Sequence, residues 1–188
     1  SLVLAGALLG GRRLLGADRE PGRGEAVVIS TWDHGVAANE AAWAVLASGG
    51  YALDAVEAGV RVTEADPAVM SVGYGGFPDR NGRVTLDASI MDEKGNAGAV
   101  ACLEHFVHPV SVARRVMEKT PHVMLVGSGA QQFAVAEGFT LEEQKLSPEA
   151  QQAYEEWLKK SEYKSPMINV ENTGHGPFAP YNLGNGDW

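Results

Sequence analysis

The chain has 188 residues, with 15 Lys and Arg against 24 Asp and Glu, and a formal charge of −9. Apolar residues make up 45% of it and charged residues 21%, a composition that indicates a folded α/β or α+β protein and excludes a disordered, collagen-like or coiled-coil chain. The single cysteine, Cys102, excludes an intramolecular disulfide framework. The acidic balance disfavours a nucleic-acid partner, because phosphate backbones are bound by clustered Lys and Arg.

The first 24 residues differ in character from the rest. Residues 2–9 are an apolar run that is too short to span a membrane, and Arg12 and Arg13 follow it. The run has the length of the apolar part of a secretory signal whose basic start is missing, which predicts a periplasmic or secreted protein. An ordinary N-terminal helix and a disordered tail are the alternatives.

Residues 25–67 predict a strand followed by two helices. Residues 26–32 are a β-branched, apolar run typical of a buried strand. The next helix has Asn39 as its candidate N-cap, and the Gly49-Gly50 pair can end it. Residues 54–64 predict the second helix, which Asp66-Pro67 stops. The predicted packed face of this helix is formed by Leu53, Val56, Val60 and Thr63.

The middle of the chain predicts a hairpin and further strands. Asn81-Gly82 between residues 71–79 and the alternating residues 83–87 favours a tight turn. Strands are also predicted over residues 88–91 and 97–103, separated by a turn. The remaining predicted elements are a helix from Pro109, a strand over residues 122–127, and helices over residues 130–137 and 147–160, the last capped by Ser147.

Self-contained catalytic motifs are scarce. His105 and His108 have metal-type spacing but sit in a predicted loop, where ordinary histidines are the favoured interpretation over metal ligands. Gly127-Ser128-Gly129 can either present N–H groups to an anion or simply turn a strand into a helix. Cys102 lies on a predicted apolar strand and is interpreted as a small core residue. No metal or other cofactor is expected.

Two features are more specific. Gly73, Gly75 and Gly76 fall within four positions, which suits either an irregular strand or the wall of a site to which Ser71 adds a hydroxyl. Trp32 ends a predicted buried strand just before a loop. Functional side chains often occupy that position, although a core indole explains it equally well.

Together these segments resemble the α subunit of the glycosylasparaginases, which are N-terminal nucleophile hydrolases. The resemblance runs in order from about residue 27 to residue 172, and its Ser-Thr-Trp and Ser-Val-Gly-Tyr-Gly-Gly parts favour this family over plant-type asparaginases and isoaspartyl peptidases. The matching segments include Ser30-Thr31-Trp32, Leu53-Asp54-Ala55-Val56-Glu57, Asp66-Pro67, Ser71-Val72-Gly73-Tyr74-Gly75-Gly76, Leu86-Asp87-Ala88, Ile90-Met91-Asp92 and His122-Val123-Met124-Leu125-Val126-Gly127.

The resemblance implies an α+β fold, the four-layer αββα sandwich, of which this chain supplies the α-subunit half. It also implies a precursor that cleaves itself into α and β subunits, exposing a threonine at the start of β. That threonine is the nucleophile, with its own α-amino group as base, and the β subunit supplies the oxyanion hole. The implied substrate is N-acetylglucosaminyl-asparagine or, for the sister enzymes, a β-aspartyl compound. The implied partners are the β subunit and an (αβ)2 assembly.

By position, Trp32 and Ser71 match active-site residues that the family's α subunit contributes, and Gly73, Gly75 and Gly76 are expected to form the site wall. No catalytic residue is expected within the chain. Thr173 follows Asn172 rather than Asp, and Ser1 lies far ahead of the matching region, so neither fits the nucleophile, which is expected beyond Trp188.

The chain divides into three predicted regions. Residues 1–24 are the signal remnant or tail, and residues 25–172 are the α-subunit part of the hydrolase domain. Residues 173–188, rich in Gly, Pro and aromatic residues, form a loop or linker before the cleavage junction. A plant-type asparaginase or isoaspartyl peptidase is the rival function, and a non-catalytic binding remnant is the second alternative.

Overall fold

Helices and a small mixed sheet make up the part of the chain that the computed structural model describes, residues 26–143 and 145–160. The α+β class predicted from the sequence is therefore confirmed. The predicted signal remnant and the segment 173–188 lie outside these residues. The described elements are α1 (Gly35–Ala47), α2 (Ala52–Ala65), a 3₁₀ turn (Gly73–Gly75), β1 (Leu86–Met91), β2 (Ala97–Leu103), α3 (Pro109–Lys119), β3 (Met124–Val126), α4 (Gly127–Ala136) and α5 (Pro148–Lys160).

The chain divides into two compact units, Ser1–Val62 and Thr63–Trp188. In the first unit, α1 and the first part of α2 pack closely at Gly59, where an added Cβ would lie 2.7 Å from the Ala38 carbonyl oxygen. Gly49, with φ +81°, follows α1 as predicted. The predicted cap is wrong, since α1 begins at Gly35 and Asn39 lies inside it. The Ser30 hydroxyl donates to the Gly35 carbonyl oxygen at 3.0 Å and holds the start of α1.

One further prediction, the strand over residues 26–32, is wrong, and the predicted packed face of α2 is right at two of its four residues. Residues 26–32 form no strand, and Val27 and Ile29 are 70% and 85% exposed. A strand needs a neighbour for its backbone groups, and within the described residues none pairs with this segment. In α2, Leu53 and Thr63 of the predicted packed face are buried, whereas Val56 and Val60 are exposed. Ala55 and Gly59 are buried as well, and Gly59 is where α1 approaches closely.

The second unit contains a three-stranded sheet in the order β1-β2-β3. β1 and β2 pair antiparallel through the predicted turn, with Met91 opposite Ala97, and β2 and β3 pair parallel. Asp92 closes the turn, because its carboxylate accepts hydrogen bonds from the Asn96 side chain at 2.7 Å and from the Asn96 backbone N–H at 2.8 Å. The hydrogen bond from the Asn96 side chain is the main cause that holds the pKa of Asp92 below its ordinary value of 3.8.

The predicted hairpin before β1 is only half present. The Asn81-Gly82 turn forms, with Gly82 at φ +82° and the Asp79 N–H donating to the Arg83 carbonyl oxygen at 2.7 Å. Residues 71–79, however, are not a strand. That segment forms a closed loop instead. The strands predicted over residues 83–87 and 88–91 form one element, β1, which begins at Leu86.

Cys102 is exposed, which corrects its interpretation as a core residue. The β1–β2 register shifts between Leu86 and Ala88, and opposite this bulge Cys102 takes φ +51°. Its N–H donates to the Asp87 carboxylate at 2.7 Å. Because a bulge interrupts the alternation of a strand, the side chain leaves the face that a regular strand would give it.

Helix α3 covers one face of the sheet and forms the core with it. Pro109 opens α3 as predicted, and β2 approaches so closely at Gly98 that an added Cβ would collide with the Ala113 carbonyl oxygen. The most deeply buried large side chains of this core are Val100, Leu103, Val110, Val112 and Val116.

The last three elements complete the second unit. β3 is shorter than predicted, and α4 begins directly at Gly127, so Gly127-Ser128-Gly129 is the first turn of that helix. The Ser147 hydroxyl oxygen accepts the Ala150 N–H at 3.1 Å and caps α5, as predicted. None of the described helices is long and apolar enough to cross a membrane.

Gly98→Ala is expected to destabilise the protein by about 1–3 kcal/mol, because the new methyl group must push α3 away from β2. Gly129→Ala is the matched control, since an added Cβ there meets nothing within 4 Å inside α4. It should be neutral or stabilising by about 0.4–1 kcal/mol. Urea unfolding of both variants measures the difference, and equal stabilities would contradict the close approach.

Candidate functional site

Ser71 and the three predicted site glycines belong to one closed loop, residues 70–77, which we call the glycine loop. The Phe77 N–H donates to the Met70 carbonyl oxygen at 2.9 Å and closes it, and the 3₁₀ turn lies inside. Tyr74 donates its hydroxyl to the Glu143 carbonyl oxygen at 2.8 Å. Ser71 is exposed at the start of the loop, whereas Gly73, Gly75 and Gly76 are buried.

Close backbone contacts explain the glycines. Gly73 has φ +68°, and a Cβ there would lie 2.5 Å from the Cα of Glu64. At Gly75, a Cβ would lie 2.7 Å from the Pro67 carbonyl oxygen. Both contacts are shorter than real Cβ atoms tolerate, so only hydrogen fits. The glycines thus seat the loop on residues 64–67, and their expected role as the wall of a substrate site remains a prediction.

The backbone of Glu64 contacts Gly73 of this loop, and its carboxylate is buried, with the residue 5% exposed. One oxygen accepts the N–H of Val110 at 2.8 Å, in the first turn of α3, and the other lies 3.4 Å from Nδ1 of His108. Negative charge is favourable at a helix N-terminus, where N–H groups lack carbonyl partners. His108, the residue before α3, makes no capping hydrogen bond with its own side chain. Glu64 therefore caps α3 from a distance of 46 residues along the chain.

Glu64 is not predicted by the sequence as the cap of α3. Its neighbours in the sequence identify it only as a residue near the end of a helix, and its hydrogen-bond partner belongs to another helix. The nearest usable signal was the pair His108-Pro109, which begins α3 with no Ser, Thr, Asp or Asn at the cap position.

Trp32 lies in the first unit, immediately before α1, and is 70% exposed. Its carbonyl oxygen accepts the Gly35 N–H at 2.9 Å, which holds the backbone in a turn while the indole remains uncovered. The alternative of a core indole is therefore wrong for the described residues. The structure brings Ser71 together with Gly73, Gly75 and Gly76 in one loop. The pairing of Trp32 with Ser71 stays a prediction.

The two histidines with metal-type spacing do not form a described metal site. His105 has φ +68°, and its carbonyl oxygen accepts the Glu142 N–H at 2.8 Å. His108 faces Glu64. Over residues 26–143 and 145–160, no group of three or more His, Cys, Asp or Glu side chains is placed to hold a metal ion.

An apolar cavity of about 630 Å³ adjoins α5, and its described lining includes Phe77 at the end of the glycine loop, with Pro78, Tyr154 and Trp157. Tyr154 donates its hydroxyl to the Arg80 carbonyl oxygen at 3.0 Å and joins α5 to this part of the chain. None of the predicted site residues is among the described lining residues, so the cavity is not assigned to the predicted site.

Comparison with known proteins identifies the class. A family model described as asparaginase matches residues 24–180, most of the chain. The α+β fold, with its glycine loop and exposed Ser71, thus belongs to a protein of the asparaginase family.

Relatives of the chain include two N(4)-(β-N-acetylglucosaminyl)-L-asparaginases and an isoaspartyl peptidase/L-asparaginase. The chain is 61% identical over 146 residues to an N(4)-(β-N-acetylglucosaminyl)-L-asparaginase from Elizabethkingia miricola, covering 78% of this chain and 42% of that protein. It is 42% identical over 159 residues to the Rattus norvegicus protein of the same name, covering 82% of this chain and 45% of that protein. A Mus musculus isoaspartyl peptidase/L-asparaginase is 50% identical over 91 residues, covering 48% of this chain and 28% of that protein. The chain spans less than half the length of each of these relatives.

Gly73→Ala is expected to destabilise the second unit by more than the cost of placing alanine in a left-handed backbone conformation. The left-handed conformation costs about 1–2 kcal/mol for alanine, and the collision with the Glu64 backbone adds about 1–3 kcal/mol. Gly49→Ala is the control, because Gly49 has φ +81° but nothing within 4 Å of an added Cβ. Chemical unfolding compares the two, and a Gly73 variant no less stable than the Gly49 variant would rule out the close seating of the loop.

Proposed function

We propose that the chain is the α-subunit part of a glycosylasparaginase, a hydrolase that cleaves the amide bond between N-acetylglucosamine and asparagine during glycoprotein degradation. The observation that carries this proposal is the 61% identity to a protein of that name over 78% of the chain. The isoaspartyl peptidase relative matches over a shorter stretch, 48% of the chain. It still supports β-aspartyl compounds as the second candidate substrate class.

The proposed chemistry divides between two subunits made from one precursor. A threonine exposed by self-cleavage would be the nucleophile, because its free α-amino group, with a pKa near ~7.7–8.0, can accept the hydroxyl proton at neutral pH. The β subunit would supply this threonine and the oxyanion donors. The α subunit would contribute Trp32, the Ser71 hydroxyl and the glycine loop, and no metal enters the reaction.

The uncovered face of the sheet supports a partner subunit. Because Gly98 faces α3, Ala97, Ala99 and Ala101 before the bulge face the other way, and so do their cross-strand partners. Met91, Met124 and Val126 on this second face are 65%, 53% and 53% exposed. Apolar side chains on one face of a sheet are normally buried by a second layer.

A second sheet laid on this face, with helices outside it, completes the four-layer αββα sandwich that we propose for the αβ protein. Exposed apolar residues also occur in the first unit, at Val27, Ile29 and Trp32. We further propose an (αβ)2 assembly and, from the apolar residues 2–9, a periplasmic or secreted location.

The test of the function uses the product of the complete gene. Intact-mass analysis is expected to show two chains, the second beginning with threonine, and the protein is expected to release aspartate from N-acetylglucosaminyl-asparagine. Hydrolysis of β-aspartyl dipeptides alone would instead identify an isoaspartyl peptidase. A single uncleaved chain that hydrolyses neither substrate would contradict both enzymes and favour a binding protein.

Trp32→Ala is expected to lower kcat/KM for N-acetylglucosaminyl-asparagine by roughly 10- to 100-fold, since loss of a substrate-positioning group disturbs the reacting geometry. Tm is measured on the same protein, so that a loss of activity can be separated from a loss of stability. Trp43→Ala is the matched control, as Trp43 is 50% exposed and is not a predicted site residue. Equal activity of the two variants would remove Trp32 from the site.

A further inference from the structure

We propose that Glu64 is a positioning residue for the reaction. Its buried carboxylate fixes α3 and the glycine loop to one another and so sets the location of the Ser71 hydroxyl. The inference rests on the proposed function, because Ser71 matters only if it belongs to the substrate site. Glu64 itself is 5% exposed, contacts the loop with its backbone and acts through it rather than on substrate.

Glu64 contacts the start of α3 through its carboxylate. Glu64 Oε1 lies 2.8 Å from the Val110 backbone nitrogen, and Oε2 lies 3.4 Å from Nδ1 of His108. A buried carboxylate is stable only where hydrogen-bond donors and positive potential compensate for its lost hydration. The first turn of α3 supplies the Val110 N–H as donor and the positive potential of a helix N-terminus. The carboxylate is therefore held in one place, and so is the end of α2 to which it belongs.

The backbone of Glu64 contacts the glycine loop. The Gly73 backbone rests on the Cα and carbonyl oxygen of Glu64, with 2.5 Å between either atom and the place where a Cβ would be. Any displacement of the Glu64 backbone therefore moves Gly73. Because the Phe77–Met70 hydrogen bond closes the loop, Ser71, two residues before Gly73, moves with it.

A glutamate at position 64 can position the loop in a way that an apolar residue cannot. An apolar side chain would fill the space and stabilise the core, but it would leave the Val110 N–H without this acceptor. The hydrogen bonds of a carboxylate are directional, so glutamate sets the location of the loop more narrowly than apolar packing can. A displacement of about 1 Å at a catalytic group can cost roughly 100-fold in rate, which is why a buried residue away from the substrate can affect turnover.

The experiment compares Glu64→Ala, Glu64→Gln and Val112→Ala in the product of the complete gene. Glu64→Gln keeps the shape and one acceptor oxygen but removes the charge. Val112→Ala is the stability control, because Val112 is fully buried in α3, the helix that Glu64 caps. The measurements are Tm, kcat and KM for N-acetylglucosaminyl-asparagine, and hydrogen exchange of the backbone amides in residues 71–77.

We expect Glu64→Ala to lose about 100-fold in kcat/KM and to exchange faster over residues 71–77. Glu64→Gln should lie between it and the wild type, which shows partial rescue by the conservative variant. Val112→Ala should lower Tm without either effect. Activity that falls in proportion to Tm in all three variants would overturn the proposal, and so would unchanged exchange over residues 71–77 in Glu64→Ala.

The same experiment separates the two proposals. A wild-type protein that does not hydrolyse N-acetylglucosaminyl-asparagine contradicts the proposed function. The exchange data then still decide whether Glu64 holds the glycine loop, because they need no substrate.

Discussion

The contact of the Glu64 carboxylate with the first turn of α3 is the constraint on which the second unit depends. It joins the end of α2 to the helix that covers the sheet, and it places a buried charge where backbone N–H groups can compensate for it. The glycine loop lies directly on Glu64. A change in this contact would therefore displace both the core beneath α3 and the loop that contains Ser71.

Close approaches at glycines extend the same principle. Gly59 lets α1 and α2 touch in the first unit, Gly98 lets α3 lie on β2, and Gly73 and Gly75 let the glycine loop lie on residues 64–67. Each contact is between backbones or near them, so a single methyl group disturbs it. Because backbone contacts are stiffer than contacts between flexible side chains, they give the exposed Ser71 a rigid support. Rigid support is what the proposed role of Ser71 requires.

The surface of the chain is as informative as its core. Residues that usually pack inside, among them Ile29, Met91 and Val126, are exposed in the described residues, and several of them lie on one face of the sheet. The chain spans less than half the length of the relatives compared above, and in the proposed αβ protein the other subunit would cover this face. The exposed apolar face and the short coverage thus have a common explanation in the proposed αβ protein.

Matching segments and local signals in the sequence were enough to predict the α+β class, the family, both turns that flank β1, the extent of β2, the start of α3 and the cap of α5. The local signals, such as Asn-Gly, Asp92, Pro109 and Ser147, act within a few residues of their own position. Tertiary contacts, by contrast, leave residues 26–32 without a strand, expose Cys102 at a bulge and close residues 70–77 into a loop. Each of these outcomes depends on a neighbour distant in the sequence: a pairing strand, the register of β1, or the backbone of residues 64–67. Glu64 is the clearest case, since its partner lies 46 residues away and no local pattern indicates it.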